Sequence, residues 1–211
     1  MQTGPGMSDA AVADSALASV CAAIAADGYS IVPDFLPPLA VAGLAGEAWQ
    51  RDHAGEFHPA RVARAEQRAE RGDIRGDRIL WLDERTPAPA ERALWRALGS
   101  LRAALNEACF LGLFAFEGHY ALYPPGAFYR RHRDRFRDDD ARVLSCVLYL
   151  NQEWSAADGG ALRFYVSEHA WRDILPFGGT LVCFLAADYE HEVLPTGRER
   201  LAFTGWFLRR R

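Results

Sequence analysis

The chain of 211 residues contains no lysine, so arginine supplies all 24 of its basic side chains. A site that binds an anionic ligand must therefore use guanidinium groups, which grip a carboxylate through two parallel hydrogen bonds. The 28 acidic residues outnumber the basic ones and give a net charge of -4. This balance offers no electrostatic reason to expect nucleic acid as a partner.

Long apolar runs and closely spaced cysteines are absent as well. Without a run of about 18 apolar residues, we expect no membrane-spanning helix. The first residues lack the basic and apolar regions of a signal peptide, so we expect none. The four cysteines are scattered, which predicts free thiols, no disulfides and a reducing, cytoplasmic compartment.

Helical spacing of apolar residues marks the first half of the chain. It predicts helices over residues 15–27, 38–52 and 90–110, the last with leucines at steps of three and four. Short strands are predicted at Tyr29–Val32 and Ile79–Leu82. Half of all residues are hydrophobic and 12% are aromatic, so a well-packed domain can form around these elements.

After residue 112 the helical spacing ends, and short strand-like runs rich in Val, Leu, Phe, Tyr and Trp follow. Clusters of Gly and Pro divide this region into short strands, a pattern typical of a β-sandwich or small barrel. Helices followed by strands indicate an α+β fold in which the helices brace one sheet. The predicted strands are 114–123, 143–150, 161–166, 179–186, 189–194 and 200–208.

The chain is predicted to form one domain over residues 13–211, preceded by a flexible tail over residues 1–12. Within the domain, residues 13–112 form a helical support and residues 113–208 form the core of strands. An arginine-rich segment over about 53–78 separates two of the helices. Such a segment is either a solvated loop or a mobile lid over a site.

A histidine and a carboxylate stand two residues apart, at His132 and Asp134, so in an extended chain both side chains leave the same face. His191 opens a later strand, and Arg200 follows nine residues after it. Two imidazoles and one carboxylate can hold Fe(II) on one face and leave the other open for a bidentate organic acid and O2. Arg200 can clamp the far carboxylate of that acid. The combination indicates an iron- and 2-oxoglutarate-dependent oxygenase, although each residue alone is weak evidence.

The other four histidines lack such a pattern. His53 and His58 lie in the charged segment, and His119 and His169 have no informative neighbours. We expect these four to be ordinary polar residues.

Further motifs surround the metal residues. In chain order they are Ile74–Leu82, Tyr123-Pro124, Tyr129, Cys146–Asn151, Gly159–Arg163, His191–Val193 and Trp206. Together with His132 to Asp134 and with Arg200, they make a chain that resembles the prolyl hydroxylases of the oxygen-sensing (hypoxia-inducible factor) type and their bacterial relatives. Because Asp134 is present, whereas halogenating relatives lack that carboxylate, the resemblance implies hydroxylation.

The resemblance implies a double-stranded β-helix, or jelly-roll, core braced by N-terminal helices. It implies Fe(2+) bound by His132, Asp134 and His191, with 2-oxoglutarate and O2 as cosubstrates and ascorbate as an accessory cofactor. Arg200 and Tyr149 are implied to hold the distal carboxylate of 2-oxoglutarate. The other implied pocket residues are Tyr123, near the metal-chelating end, and Thr204, Leu162 and Trp206 along the wall.

The same resemblance implies that Asp77 pairs with Arg142 and anchors the mobile loop; two independent surface charges are the alternative. It implies a protein substrate that presents a proline, with a translation protein such as an elongation factor or ribosomal protein as a candidate. Two rival functions remain open. One is oxidation of free proline or another small molecule, and the other is a non-catalytic β-barrel that senses metal or ligand. We expect no membrane partner and favour a monomer.

Overall fold

The structure, a computed structural model, describes residues 14–61, 72–134 and 140–210. The predicted tail lies outside the described residues, as does the middle of the predicted lid. The helices are α1 (Asp14–Asp27), α2 (Pro38–His53) and α3 (Glu91–Cys109), with a short 3-10 turn at Ala156–Asp158. The strands are β1 (Tyr29–Val32), β2 (His58–Pro59), β3 (Arg78–Trp81), β4 (Leu113–Tyr123), β5 (Tyr129–His132), β6 (Arg142–Tyr149), β7 (Leu162–Ser167), β8 (Ala170–Ile174), β9 (Leu181–Leu185), β10 (Glu190–Val193) and β11 (Arg200–Arg209).

Local sequence explains where the helices begin and end. Gly28 stops α1 with a left-handed φ of 72°, and its N–H donates to the carbonyl of Ile24. Pro38 begins α2, because the fixed φ of proline suits the first helical position. Phe110 ends α3 in the left-handed region at φ 55°. In the described ranges, we find no helix with both the length and the apolar character needed to cross a membrane.

The strands form two antiparallel sheets that pack face to face. The larger sheet has seven strands in the order β1-β9-β6-β11-β4-β3-β2, and the smaller has four in the order β5-β10-β7-β8. Every named strand pair is antiparallel. With helices packed on the outside of the larger sheet, this is the predicted α+β fold with a double-stranded β-helix core.

Alternation along the strands of the larger sheet divides the core into two layers. On β11, Leu201, Phe203 and Phe207 join the layer that contains the helices, whereas Ala202 joins the layer between the sheets. Successive side chains of a strand point to opposite faces, so one sequence can supply both layers. The layer between the sheets contains the cavity described below.

Three strands were not predicted, namely β2, β5 and β8. The side chains of β8 are exposed except for Ile174, and β5 carries two exposed arginines. A strand with a solvated face or at the edge of a sheet lacks the apolar run from which strands are usually recognised. Strand β5 matters most, because it carries His132.

Two glycines that face each other across β4 and β11 make room for aromatic rings. Gly118 and Gly205 are register partners. A Cβ atom on Gly205 would lie 2.4 Å from a ring carbon of Phe116, and one on Gly118 would lie 2.6 Å from a ring carbon of Phe203. These two rings stack at an interplanar angle of 17° and contact Trp95 of α3. The contact between the larger sheet and α3 therefore requires glycine, which has no side chain, at both positions.

We predict that Gly205→Ala lowers the free energy of unfolding by about 1–3 kcal/mol, because the added methyl group overpacks the ring stack. Gly46→Ala is the matched control: Gly46 is exposed in α2 and has no atom near its Cβ position. That change should raise the stability by about 0.5–1 kcal/mol through helix propensity. Urea unfolding of both variants measures the difference, and parental stability of Gly205→Ala would contradict the packing argument.

Candidate active site

Two adjacent strands of the smaller sheet bring the predicted metal ligands together. His132 ends β5 and is the register partner of His191 in β10, and Asp134 follows two residues after His132. The Nε2 atom of His132 lies 3.6 Å from Oδ1 of Asp134, and the Nε2 atom of His191 lies 3.7 Å from Oδ2. One ligand atom from each residue lies within 4.8 Å of the other two. All three side chains can therefore hold one metal ion.

Neighbouring groups orient these ligands. The Nδ1 atom of His132 lies 2.7 Å from the carbonyl oxygen of Arg130, which leaves Nε2 for a metal ion. The Ser145 hydroxyl donates to Oδ2 of Asp134 at 2.7 Å. The ring of Tyr129 stacks on His132, with 3.7 Å between the ring centres. His132 and Asp134 are thus held in place by the protein itself.

The ionisation states of Asp134 and His191 suit a divalent metal ion. Burial by itself would raise the pKa of Asp134, but His191, His132 and a hydrogen-bonded hydroxyl outweigh it and hold this pKa well below its usual range. Burial lowers the pKa of His191 to about 4, although the neighbouring Asp134 opposes the shift. A carboxylate and a neutral imidazole are the forms in which these residues bind metals. The donor set fits Fe(II).

Arg200 places a positive charge deep between the sheets. Its side chain is almost fully buried, and its Nε donates to the carbonyl of Gly160 at 2.8 Å. Its Cζ atom lies 5.0 Å from the ring centre of Tyr123 and 5.2 Å from that of Tyr149. Among the described residues, one terminal guanidinium nitrogen and the Tyr149 hydroxyl lack a hydrogen-bond partner, and no carboxylate pairs with Arg200. A buried cation without a counter-charge is costly, so this place fits the carboxylate of a ligand.

A cavity of about 750 Å³ joins the triad to Arg200. Among the described residues, its exposed rim includes His58 and Pro59 of β2 and the side chain of Arg133. Tyr149 lies outside the cavity lining, fully buried beside Arg200. The predicted wall residues that line the cavity are Tyr123, Leu162, Thr204 and Trp206.

The predicted ion pair between Asp77 and Arg142 is wrong. Asp77 instead accepts two hydrogen bonds from the guanidinium of Arg75, two residues away. Arg142 pairs with Glu117 at 2.8 Å, and its Cζ atom lies 3.5 Å from the ring centre of Trp206. Asp77 is therefore satisfied locally by Arg75, and the guanidinium of Arg142 packs on Trp206 in the cavity wall.

Three functional candidates were missed by the sequence analysis. His58 and His119 were expected to be ordinary polar residues, but both line the cavity. Ser145, which holds Asp134, was not singled out. Only His119 carried a usable signal, because it alternates with Tyr123 along β4 and so shares the inward face.

Residues 118–208 match the family model described as the 2OG-Fe(II) oxygenase superfamily. The segment contains all three triad residues and Arg200. The chain belongs to this superfamily, and its triad fits the Fe(II) that the family description names.

Individual relatives narrow the family further. The chain is 49% identical to a prolyl-4-hydroxylase from Pseudomonas putida, whose crystal structure superposes with a TM-score of 0.84 over 92% of this chain and 100% of that one. A Trichoplax adhaerens prolyl hydroxylase, solved with a peptide fragment of the hypoxia inducible factor oxygen degradation domain, is 27% identical, with a TM-score of 0.83 over 91% of this chain and 88% of that one. Human Egl nine homolog 1 is 28% identical over 86% of this chain. The chain spans only 44% of that human protein and about half or less of the other full-length curated relatives.

We predict that Ser145→Ala lowers the affinity for a divalent metal about 10- to 100-fold, because Asp134 loses the hydroxyl that orients it. Ser30→Ala removes a buried hydroxyl from β1 of the same sheet, outside the cavity lining, and serves as the control. Electron paramagnetic resonance titration with Mn(II) measures both affinities. Equal metal binding by the two variants would show that Ser145 does not position the ligand.

Proposed function

We propose that the protein is an Fe(II)- and 2-oxoglutarate-dependent dioxygenase that hydroxylates a proline residue within a polypeptide. The observation that carries this proposal is the presence, in one cavity, of a two-histidine, one-carboxylate triad and a buried guanidinium that pairs with no carboxylate of the described residues. The triad fits the metal, and the guanidinium fits the far end of a dicarboxylic cosubstrate. The 49% identity to a bacterial prolyl-4-hydroxylase supports the choice of proline.

In this proposal His132, Asp134 and His191 bind the metal. When bound, iron together with 2-oxoglutarate and O2 supplies the oxidant for a C–H bond, with succinate and CO2 as products. The protein binds and orients the reactants and excludes water from the cavity. The wall that performs these tasks is formed by Tyr123, Leu162, Thr204 and Trp206.

Two tyrosines assist Arg200 as hydrogen-bond donors. Burial raises the pKa of Tyr149 to about 12, although Arg200 opposes the shift. Burial also raises the pKa of Tyr123 well above its usual value. Both hydroxyls therefore keep their protons, and we assign Tyr149 to the distal carboxylate and Tyr123 to the metal-chelating end of 2-oxoglutarate.

We predict that Arg200→Ala weakens the apparent affinity for 2-oxoglutarate by roughly 30-fold to several thousand-fold, corresponding to about 2–5 kcal/mol for a truncated charge pair. Binding of Mn(II) should change little, since Arg200 does not touch the triad. Arg163→Ala is the control, because Arg163 lies outside the cavity lining and pairs with Asp173 on the exposed face of the smaller sheet. The dependence of succinate formation on 2-oxoglutarate concentration measures the effect. If Arg200→Ala kept the affinity of the parent, a residue other than Arg200 would have to bind the distal carboxylate.

A polypeptide fits the cavity better than a free amino acid does. Among the described residues, the rim carries exposed side chains, including Arg133 and Trp81, the latter 48% exposed. An open rim can contact residues that flank a proline, whereas free proline needs only a closed pocket. The relative from Trichoplax adhaerens was solved with a peptide, which supports the same choice. A translation protein remains our candidate substrate.

The remaining rival, a sensor without turnover, fits the site less well. A metal sensor needs the triad but has no use for a buried guanidinium that, within the described ranges, has no carboxylate as its partner. Keeping such a charge buried costs free energy unless a ligand compensates it. A cytoplasmic location, a monomeric state and the use of ascorbate stay predictions.

The substrate class can be tested by mass spectrometry of the host proteome with and without the active protein. We predict that one or a few proline residues gain the mass of one oxygen atom only when the protein is active. His191→Ala, which removes a metal ligand, is the matched inactive control. Oxidation of free proline with no modified polypeptide would replace the proposal by the small-molecule alternative.

A further inference from the structure

A histidine that the metal site does not use lies in the cavity wall. His119 on β4 has Thr204 of β11 and Trp81 of β3 as its register partners. It is only 3% exposed. Its ring centre lies 4.8 Å from that of Trp81 and 5.6 Å from that of Trp206. The three rings form one continuous part of the lining, which we call the aromatic wall.

Two buried nitrogen atoms of the aromatic wall have no hydrogen-bond partner in the part of the chain that the structure describes. Neither Nδ1 of His119 nor Nε1 of Trp206 has a hydrogen-bond partner among the described residues. Buried polar atoms are nearly always hydrogen-bonded, and these two lie on neighbouring rings of the cavity lining, where a bound ligand can supply the missing group. That ligand is neither the metal, which belongs to the triad, nor the distal carboxylate, which belongs to Arg200.

The charge of His119 limits what it can bind. Burial and the nearby guanidinium groups of Arg75 and Arg142 lower its pKa to about 3. The imidazole is therefore neutral at ordinary pH, and one ring nitrogen donates while the other accepts. A neutral ring offers a directed hydrogen bond and no counter-charge, which suits an amide group better than a carboxylate.

We propose that His119 contacts the substrate and determines specificity by donating a hydrogen bond from Nδ1 to a main-chain carbonyl beside the target proline. This inference rests on the proposed function and refines its substrate class. A prolyl nitrogen within a chain has no hydrogen, so a proline residue presents only carbonyl oxygens, which accept. The indole N–H of Trp206 is also a donor. Free proline would instead bring a charged carboxylate to a wall whose nearest guanidinium groups, those of Arg75 and Arg142, already pair with Asp77 and Glu117.

Three substitutions separate a hydrogen bond from a packing role. His119→Leu removes both ring nitrogens, whereas His119→Asn places an amide close to the position of Nδ1, and His119→Gln places it near that of Nε2. His169→Leu is the matched control, since His169 is exposed in the turn between β7 and β8. The probe is a capped alanyl-prolyl-alanine tripeptide. Its dissociation constant is measured by NMR titration on protein loaded with Zn(II) and 2-oxoglutarate, which cannot turn over.

We expect His119→Leu to weaken tripeptide binding roughly 3- to 10-fold, the effect of losing one hydrogen bond to an uncharged acceptor. His119→Asn should restore most of the affinity. His119→Gln should bind as weakly as His119→Leu, and the control His169→Leu should bind as tightly as the parent. Thermal unfolding midpoints identify any variant that loses affinity through misfolding. If His119→Leu is such a variant, the comparison of His119→Asn with His119→Gln still tests the hydrogen bond.

Two results would overturn the inference while leaving the proposed function intact. The first is that His119→Leu binds the tripeptide as tightly as the parent. The second is that His119→Leu and His119→Asn lose the same affinity while keeping the unfolding midpoint of the parent, which would indicate that His119 only packs. Rescue by Gln in place of Asn would overturn the assignment to Nδ1. A parent that binds free proline but not the tripeptide, and hydroxylates no polypeptide, would refute the proposed function and this inference together.

Discussion

The pairing of β11 between β4 and β6 is the constraint on which the cavity depends. This strand of 10 residues is hydrogen-bonded on both sides, and its alternate side chains enter different layers. A shift of register by one residue would turn Arg200 toward the helices and bring Phe203 into the cavity. Gly118 and Gly205 face each other only in the observed register, and only there do the rings over them find room. Packing of the aromatic rings on one face of β11 therefore fixes the position of the Arg200 guanidinium on the other face.

Three of the arginines that line the cavity differ in their partners. Arg75 is neutralised by Asp77, and Arg142 by Glu117, so the protein satisfies both on its own. Arg200 pairs with no carboxylate among the described residues. Because the chain contains no lysine, residue type cannot separate structural cations from ligand-binding ones. Burial and the presence or absence of a protein carboxylate separate them instead.

The parts that could be predicted from sequence are those in which burial leaves a pattern. Long strands and helices show such a pattern in their apolar residues. The metal ligands could be predicted from their spacing, because an extended backbone puts His132 and Asp134 on one face. Strand β5 was missed since its exposed arginines break the alternation. The partner of Asp77 was predicted wrongly, because sequence does not say which arginine is nearest in space. His119 was overlooked for a similar reason: an unpartnered ring nitrogen is a property of three-dimensional packing.

The two sheets divide the work of the site between them. The smaller sheet carries both histidines of the triad, and the larger sheet carries Arg200 and the aromatic wall. Arg142 connects the two parts, because its guanidinium lies over Trp206, pairs with Glu117 and donates to the carbonyl of Asp134 at 3.4 Å. Arg142 therefore contacts a ring of the aromatic wall and the backbone of the metal-binding carboxylate at the same time. One side chain thus joins the wall on the larger sheet to the residue that follows the metal-binding strand of the smaller sheet.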